Sequence, residues 1–240
     1  MIKVVSCFWN VENYIEKCIN SVKSQTYRDF KMYLIDDMSN DNTNQIIEKL
    51  IEGDERFVYI KNTEKKFKLK NLDDLLMDES LIDDEDIIVE LDGDDWFYNE
   101  LVLQKVFDRY SKNKNLWITN GSFIYSDGRM GFSSKVNPKT IRKDPFLFSH
   151  LRTWKASLWR KIDEDYFKDT DGNYFKAAPD AAYSFAMVEI AGDNHYEFCS
   201  EILLVYNEEN PTNEHKSGAS SGAGEQFRCA NIIRNQKPHY

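Results

Sequence analysis

Asp92-Gly93-Asp94-Asp95 places three carboxylates within a single turn's length of chain. Carboxylates two apart in a turn converge on one point, where only protonation or a cation relieves their repulsion. Hard oxygen ligands of this kind suit Mg²⁺ or Mn²⁺, ions that bridge protein carboxylates to substrate phosphates. The glycine permits a tight turn and a close approach of backbone to ligand. An acidic turn with no ligand is the plainer alternative. Calcium loops of the EF-hand type fail on spacing. Begun at Asp92, such a loop needs Gly where Phe97 stands; begun at Asp169, it meets Tyr174 there.

The elements that must carry these residues follow from periodicity. Residues 2–9 form a β-branched, buried strand. Asn10 is expected to cap a helix whose apolar stripe is Tyr14, Ile15, Cys18, Ile19 and Val22. Residues 31–35 make a second strand that runs into Asp36-Asp37. Asn40 or Asp41 opens a second helix, 57–60 is a third strand, and a helix follows near 67–77. Residues 87–91 are the fourth strand, ending at the acidic turn. Strands alternating with helices predict a mostly parallel sheet with right-handed crossovers, and such sheets bind ligands beyond their strands' carboxyl ends. Asp37 and Asp92–Asp95 both fall at such ends. After a helix at 99–111 the alternation fades: 116–120 and 122–125 are short strands around a turn at Asn120-Gly121. A helix covers 179–191 and 203–206 is a late strand. Residues 217–224 read as a flexible hinge before a short helix at 225–235.

Composition narrows the partners. The 240-residue chain is 41% hydrophobic and 14% aromatic, which excludes bulk disorder. Its net charge of −10 argues against a nucleic-acid partner, which would need a basic face. Between Asp73 and Asp95 stand twelve Asp or Glu and no Lys or Arg, and part of that run, 78–86, is a solvated loop. Cys7, Cys18, Cys199 and Cys229 show no zinc spacing and fit reduced thiols in a cytoplasmic protein. No apolar stretch reaches the ~20 residues of a membrane span. No signal peptide is expected, because residues 1–6 enter a strand at once.

Three segments in order resemble the opening of the large family 2 of inverting glycosyltransferases: Val4-Val5-Ser6-Cys7-Phe8-Trp9-Asn10, then Ser21-Val22-Lys23-Ser24-Gln25-Thr26-Tyr27, then Leu34-Ile35-Asp36-Asp37-Met38-Ser39-Asn40-Asp41. Leu91-Asp92-Gly93-Asp94-Asp95 stands where that family carries its D-x-D motif. The resemblance covers about residues 2–125. It implies an α/β GT-A fold: a Rossmann-like, mostly parallel sheet flanked by helices, with a less regular acceptor-side second half and a C-terminal helix. One domain, 1–240, would comprise a nucleotide-sugar-binding half (about 1–125), an acceptor half (about 126–216), and the hinge and C-terminal helix (217–240).

The resemblance also implies roles. Trp9, Asn10 and Asp37 would hold the base and ribose, the last by accepting a base N–H. Lys70 and Asn71 would face the diphosphate. Asp92, Asp94 and Asp95 would hold the donor ribose and the metal, Mn²⁺ or Mg²⁺, with His215 beside it on a closing segment. An inverting transfer needs a base for the acceptor hydroxyl. The family places it at a helix start, usually in a Glu-Asp pair; here Pro179 replaces the Glu, and Asp180 is the candidate. Glu189 and Asp193 are the fallback carboxylates, and His150 and Arg152 are further candidates for acceptor or phosphate. The donor expected is a nucleotide sugar, a UDP-sugar, and the acceptor a carbohydrate or glycosylated molecule. Two alternatives stand beside this enzyme: a nucleotide-sugar-binding module that lacks a base, and a metal-dependent phosphate-ester hydrolase or nucleotidyltransferase. The second is disfavoured by the lack of a second acidic cluster and of a Gly-rich phosphate loop.

Overall fold

In the computed structural model the described residues are 1–210 and 222–239. Strands β1 (Ile2–Phe8), β2 (Phe30–Asp36), β3 (Phe57–Lys61) and β4 (Ile87–Glu90) are joined in parallel, in the order β3-β2-β1-β4. Their side chains alternate between two cores. Val5, Tyr33, Ile35 and Ile88 belong to one, and Val4, Met32, Leu34 and Val89 to the other. That is the period-two pattern of a sheet covered on both faces. Helices α1 (Ile15–Lys23) and α2 (Thr43–Ile51) pack on the second core, α3 (Phe67–Leu76) on the first and α4 (Val102–Lys112) on the second. In α1 the buried residues are Ile15, Cys18, Ile19 and Val22, the expected stripe.

Beyond β4 the pairing changes direction. Strand β5 (Trp96–Phe97) follows the acidic turn, then β6 (Ile118–Tyr125), β7 (Arg152–Lys155) and β8 (Tyr196–Tyr206). They extend the sheet to β3-β2-β1-β4-β7-β6-β8-β5, with β7 antiparallel to both β4 and β6. Helix α5 (Ala156–Trp159), a 3₁₀ turn (Glu164–Phe167), α6 (Pro179–His195) and α7 (Gly222–Asn235) all reach the first core. The mixed α/β architecture with a parallel first half matches the expectation. Because β7 runs against β4, its amino end lies beside the carboxyl end of β4. This one pairing delivers His150 and Arg152 to the acidic turn.

Four expectations are corrected. Asn10 does not cap α1; it sits at φ 54° and the N-cap is Tyr14, without a side-chain bond. Residues 118–125 are one strand, not two around a turn. Its register against β8 shifts at Ser122, and the Gly121 N–H donates to the Leu151 carbonyl at 2.8 Å. A Cβ at Gly121 would stand 3.0 Å from the Leu151 nitrogen, so the glycine marks a close approach rather than a reversal. The late strand begins at Tyr196, seven residues earlier than expected. Residues 222–224 of the expected hinge form the first turn of α7, and 217–221 lie outside the described residues.

Candidate active site

The acidic turn is closed by the Asp95 N–H on the Asp92 carbonyl at 3.0 Å. Gly93 is required there: a Cβ would come within 2.7 Å of the Phe8 Cβ on β1. The turn is thereby pressed against the carboxyl edge of the sheet and borders a cavity of ≈ 990 Å³, which Trp9, Asp37, Lys68, Asn71, Asp92, Asp94, His150 and Asp180 help to line. Two loops close one of its walls. Asn10 and Asn40 exchange two hydrogen bonds of 2.9 Å, and the Asn10 N–H donates to Ser39 Oγ. Asn10 thus braces the wall from behind and is not among its lining residues. Trp9 is exposed, with the Lys65 ammonium 4.2 Å from its ring centroid.

Asp37 is buried, and both its oxygens are engaged. It accepts from the N–H groups of Lys66 (2.8 Å) and Phe67 (3.0 Å) and from the Asn62 amide (2.9 Å). Burial pushes its carboxyl up, but the bonds from Lys66, Asn71 and Asn62 outweigh this and hold it below the usual range. Asp37 therefore ties the start of α3 to the end of β2. Its grip keeps Phe67 at φ 63°; Met38 and Ala178, also lining the cavity, share positive φ. Strained backbone of this kind clusters at functional sites.

A charged network fills the floor. Glu90 and Arg152, 2% and 1% exposed as side chains, pair through Nε at 2.6 Å. Lys68 reaches Glu90 at 2.8 Å, Asp92 at 2.7 Å and Asp180 at 3.4 Å, and Arg152 Nη1 reaches Asp180 at 3.0 Å. The Tyr183 hydroxyl donates to Glu90 and to Asp180. Asp180 stands in the first turn of α6, after Ala178 in the left-handed region and Pro179 at the helix start, and is 31% open toward the cavity. Burial alone would raise its carboxyl; Arg152 and Lys68 outweigh it and hold Asp180 well below the ordinary range.

The acidic turn behaves oppositely. Burial, opposed by Lys68 and reinforced by Glu90 and Asp180, pushes Asp92 up to about 6. Burial and the neighbouring Asp94 and Asp92 push Asp95 up strongly. Asp95 is 1% exposed; its Oδ1 accepts from the Asn207 N–H at 2.8 Å, while Oδ2 has no hydrogen-bond partner among the described residues. A buried carboxylate oxygen left without a donor, beside further carboxylates, fits a cation. Asp92, Asp95 and His150 offer ligand atoms within 4.8 Å of one another. Burial, then Arg152, lowers His150 to about 3, so its ring is neutral and able to ligate.

Several expected residues are placed differently. Asp94 lines the cavity, but its Oδ2 accepts from Asn210 at 2.7 Å, and the convergent set contains Asp92 with Asp95. Lys70 pairs with Asp74 along α3 and is not among the lining residues; the lysine of α3 that lines the cavity is Lys68. The signal was present, since Lys68 and Asn71 are three apart and share a helix face, which Lys70 does not. Glu189 is buried against Arg142, and Asp193 is exposed and off the cavity. His215 lies outside the described residues. Glu90 and Tyr183 were missed; a glutamate inside an apolar strand is the signal for the first, because a buried charge needs a partner.

Together, the parallel sheet with its antiparallel extension and the acidic turn at the point of change define a mixed α/β protein with a cavity at the carboxyl edge of its sheet. Known proteins narrow the class. The model of glycosyl transferase family 2 matches residues 3–187, and the chain belongs to that family. Among curated relatives, glycosyltransferase GlyA of Streptococcus pneumoniae is 37% identical over 59 residues, 25% of this chain and 8% of that protein. An uncharacterized glycosyltransferase of Haemophilus influenzae is 34% identical over 62 residues, 26% of this chain and 19% of that one. The fold resembles that of S. aureus TarS 1-349 in complex with UDP-GlcNAc, with a TM-score of 0.72 at 18% identity over 97% of this chain and 65% of that one. It also resembles the mannosyltransferase PcManGT of Pyrobaculum calidifontis in complex with GDP-Man and Mn²⁺, with a TM-score of 0.65 at 14% identity over 99% and 65%. The chain thus spans a small part of the curated relatives and about two thirds of these structures. Among the described residues no helix is long and apolar enough to cross a membrane.

Proposed function

We propose that this chain is a metal-dependent inverting glycosyltransferase that moves a sugar from a nucleotide sugar, a UDP-sugar, to an acceptor hydroxyl. One observation carries the reading: a single cavity joins an acidic turn, whose buried Asp95 Oδ2 has no partner among the described residues, to a carboxylate at the start of α6 that Arg152 and Lys68 hold below its ordinary range. The base would lie along Trp9, with Asp37 and Asn71 at its edge. Asp92 and Asp95 would hold Mn²⁺ or Mg²⁺, which when bound offsets the charge of the departing diphosphate. Lys68 supplies a second positive charge on that side. Asp180 accepts the proton of the acceptor hydroxyl, and Arg152 orients it. A donor diphosphate that draws Lys68 away from Asp180 would also raise its basicity. The four unpaired cysteines support a cytoplasmic setting.

The full chain should be incubated with a panel of UDP- and GDP-sugars, Mn²⁺ and simple glycoside acceptors, reading nucleoside diphosphate release. Release with one donor class, abolished by EDTA, is the expected result. Nucleotide binding without release under any condition would leave a binding module. Release of nucleoside monophosphate would indicate phosphate-ester chemistry instead.

A further inference from the structure

Helix α7 builds one wall of the cavity. Gln226, Ala230 and Arg234 are four residues apart, which sets them on one face of the helix, and all three line the cavity. Cys229 and Ile233 hold the adjoining face in the first core. The helix follows the residues 3–187 that the family model matches, so this wall lies outside the matched portion. We propose that Arg234 recognises the acceptor, and that the acceptor carries an anionic group, a carboxylate or a phosphate, about one sugar ring from the hydroxyl that reacts. The inference rests on the transferase reading and adds a substrate class to it.

Charge pairing around the cavity singles out this wall. Among the lining cations, Lys65 pairs with Asp37 at 3.4 Å and Lys68 with Asp92 at 2.7 Å. Lys176 and Arg234, the other two, have no carboxylate partner among the described residues. Arg234 is nonetheless fixed. Its Nη1 donates to the carbonyls of Arg142 and Asp144, the latter at 3.1 Å, and its guanidinium lies 5.2 Å from the Phe185 ring centroid. Nε and Nη2 make no hydrogen bond among the described residues. That pair of N–H donors is an edge that matches a carboxylate or phosphate bidentately. Phe185 also sets the distance to the chemistry. It stands five residues after Asp180 on α6, a rise of about 7.5 Å. An anion on Arg234 and a hydroxyl on Asp180 are thus separated by the span of a sugar ring with its substituents. Phe146, its ring 5.9 Å from that of Phe185, gives the span an apolar side. Asp180 adds little repulsion, because Arg152 and Lys68 already offset its charge.

The test reads binding rather than turnover. Immobilised oligosaccharides in three arms (neutral, uronate-bearing and phosphate-bearing) are offered to the full chain, with UDP and Mn²⁺ present to fill the donor side. One charged arm should retain the chain at least about tenfold more strongly than the neutral arm, and which arm does so separates carboxylate from phosphate. Arg234→Gln should reduce that retention to the neutral level. Arg234→Lys, which restores the charge without the paired donors, should recover only part of it. UDP affinity and a thermal melt of each variant separate lost recognition from a loosened α7. Equal retention on all arms, retention on none, or a charged-arm preference that survives in Arg234→Gln each overturns the proposal. Should Arg234→Gln fail to fold by circular dichroism, Arg234→Lys decides, and an undiminished preference there overturns it. A charged-arm preference in a chain that releases no nucleoside diphosphate would keep this inference and lose the transferase reading. Transfer to neutral glycosides alone would do the reverse.

Discussion

As the proposed base, Asp180 would meet two opposing demands. A general base must be ionised at working pH, and it must still want a proton. Arg152 and Lys68 secure the first and weaken the second. A carboxyl held below its ordinary range stays charged as pH falls until that lower value is reached, so its contribution is present throughout neutral and mildly acid conditions. We therefore expect Asp180→Asn to reduce transfer by ~10²–10⁴-fold at every pH from about 5 to 9, the ordinary working range above carboxylate titration, with donor affinity nearly intact. A purely dipole-complementing residue would instead lose ~0.3–1 kcal/mol of stability and no rate. Parent-rate transfer by the variant would remove Asp180 from catalysis. At this scale Asp37, Asp92, Asp95 and Asp180 were legible because each stands at a strand or helix end, where chemistry gathers. Lys68 and His150 were harder to see. The face of α3 that meets the cavity, and the strand that would pair with β4, are set by tertiary packing.

At the level of elements, the parallel half was readable and the antiparallel half was not. β1 to β4 are short apolar runs separated by amphipathic helices, and local pattern decides them. β7 is four residues long and β6 carries a shifted register, so their identity depends on neighbours distant in sequence. Helix α7 depends on another long-range contact. The Arg142 guanidinium pairs with both oxygens of Glu189 on α6 and donates to the Ile233 carbonyl of α7, while Cys229 and Ile233 enter the first core. Removing one partner of such a buried pair strands the other's charge, which costs about 3–5 kcal/mol. Arg142→Met should therefore destabilise the chain by about that amount in urea unfolding. Adding Glu189→Met should recover most of the loss. Equal damage from the double variant would mean that the pair's specific geometry, rather than its stranded charge, holds α7 in place.

Across the whole molecule, the charge balance favours the proposed cation. The chain carries −10, and its cavity is lined by five carboxylates and four cations, with Asp95 buried behind them. A diphosphate approaching this surface meets net repulsion unless a divalent ion is present. The same acidic turn opposes folding. Burial, and the charges of Asp94 and Asp92, raise the Asp95 carboxyl far above its unfolded value, so the folded state favours the protonated form. Stability from that group is present at low pH and lost as pH rises past the unfolded value near 4. Asp95→Asn keeps an acceptor for the Asn207 N–H and removes the group whose ionisation burial opposes. We expect it to melt higher than the parent at pH 7, by about 2–4 °C for each kcal/mol relieved, and to bind UDP in Mn²⁺ no better than the parent does in EDTA. Calorimetry with UDP and a thermal melt check both halves. Such opposition between stability and function is expected where a site is held ready for a ligand. A variant that melts lower, or that binds UDP with unchanged Mn²⁺ dependence, would show that Asp95 holds the turn's structure rather than a cation.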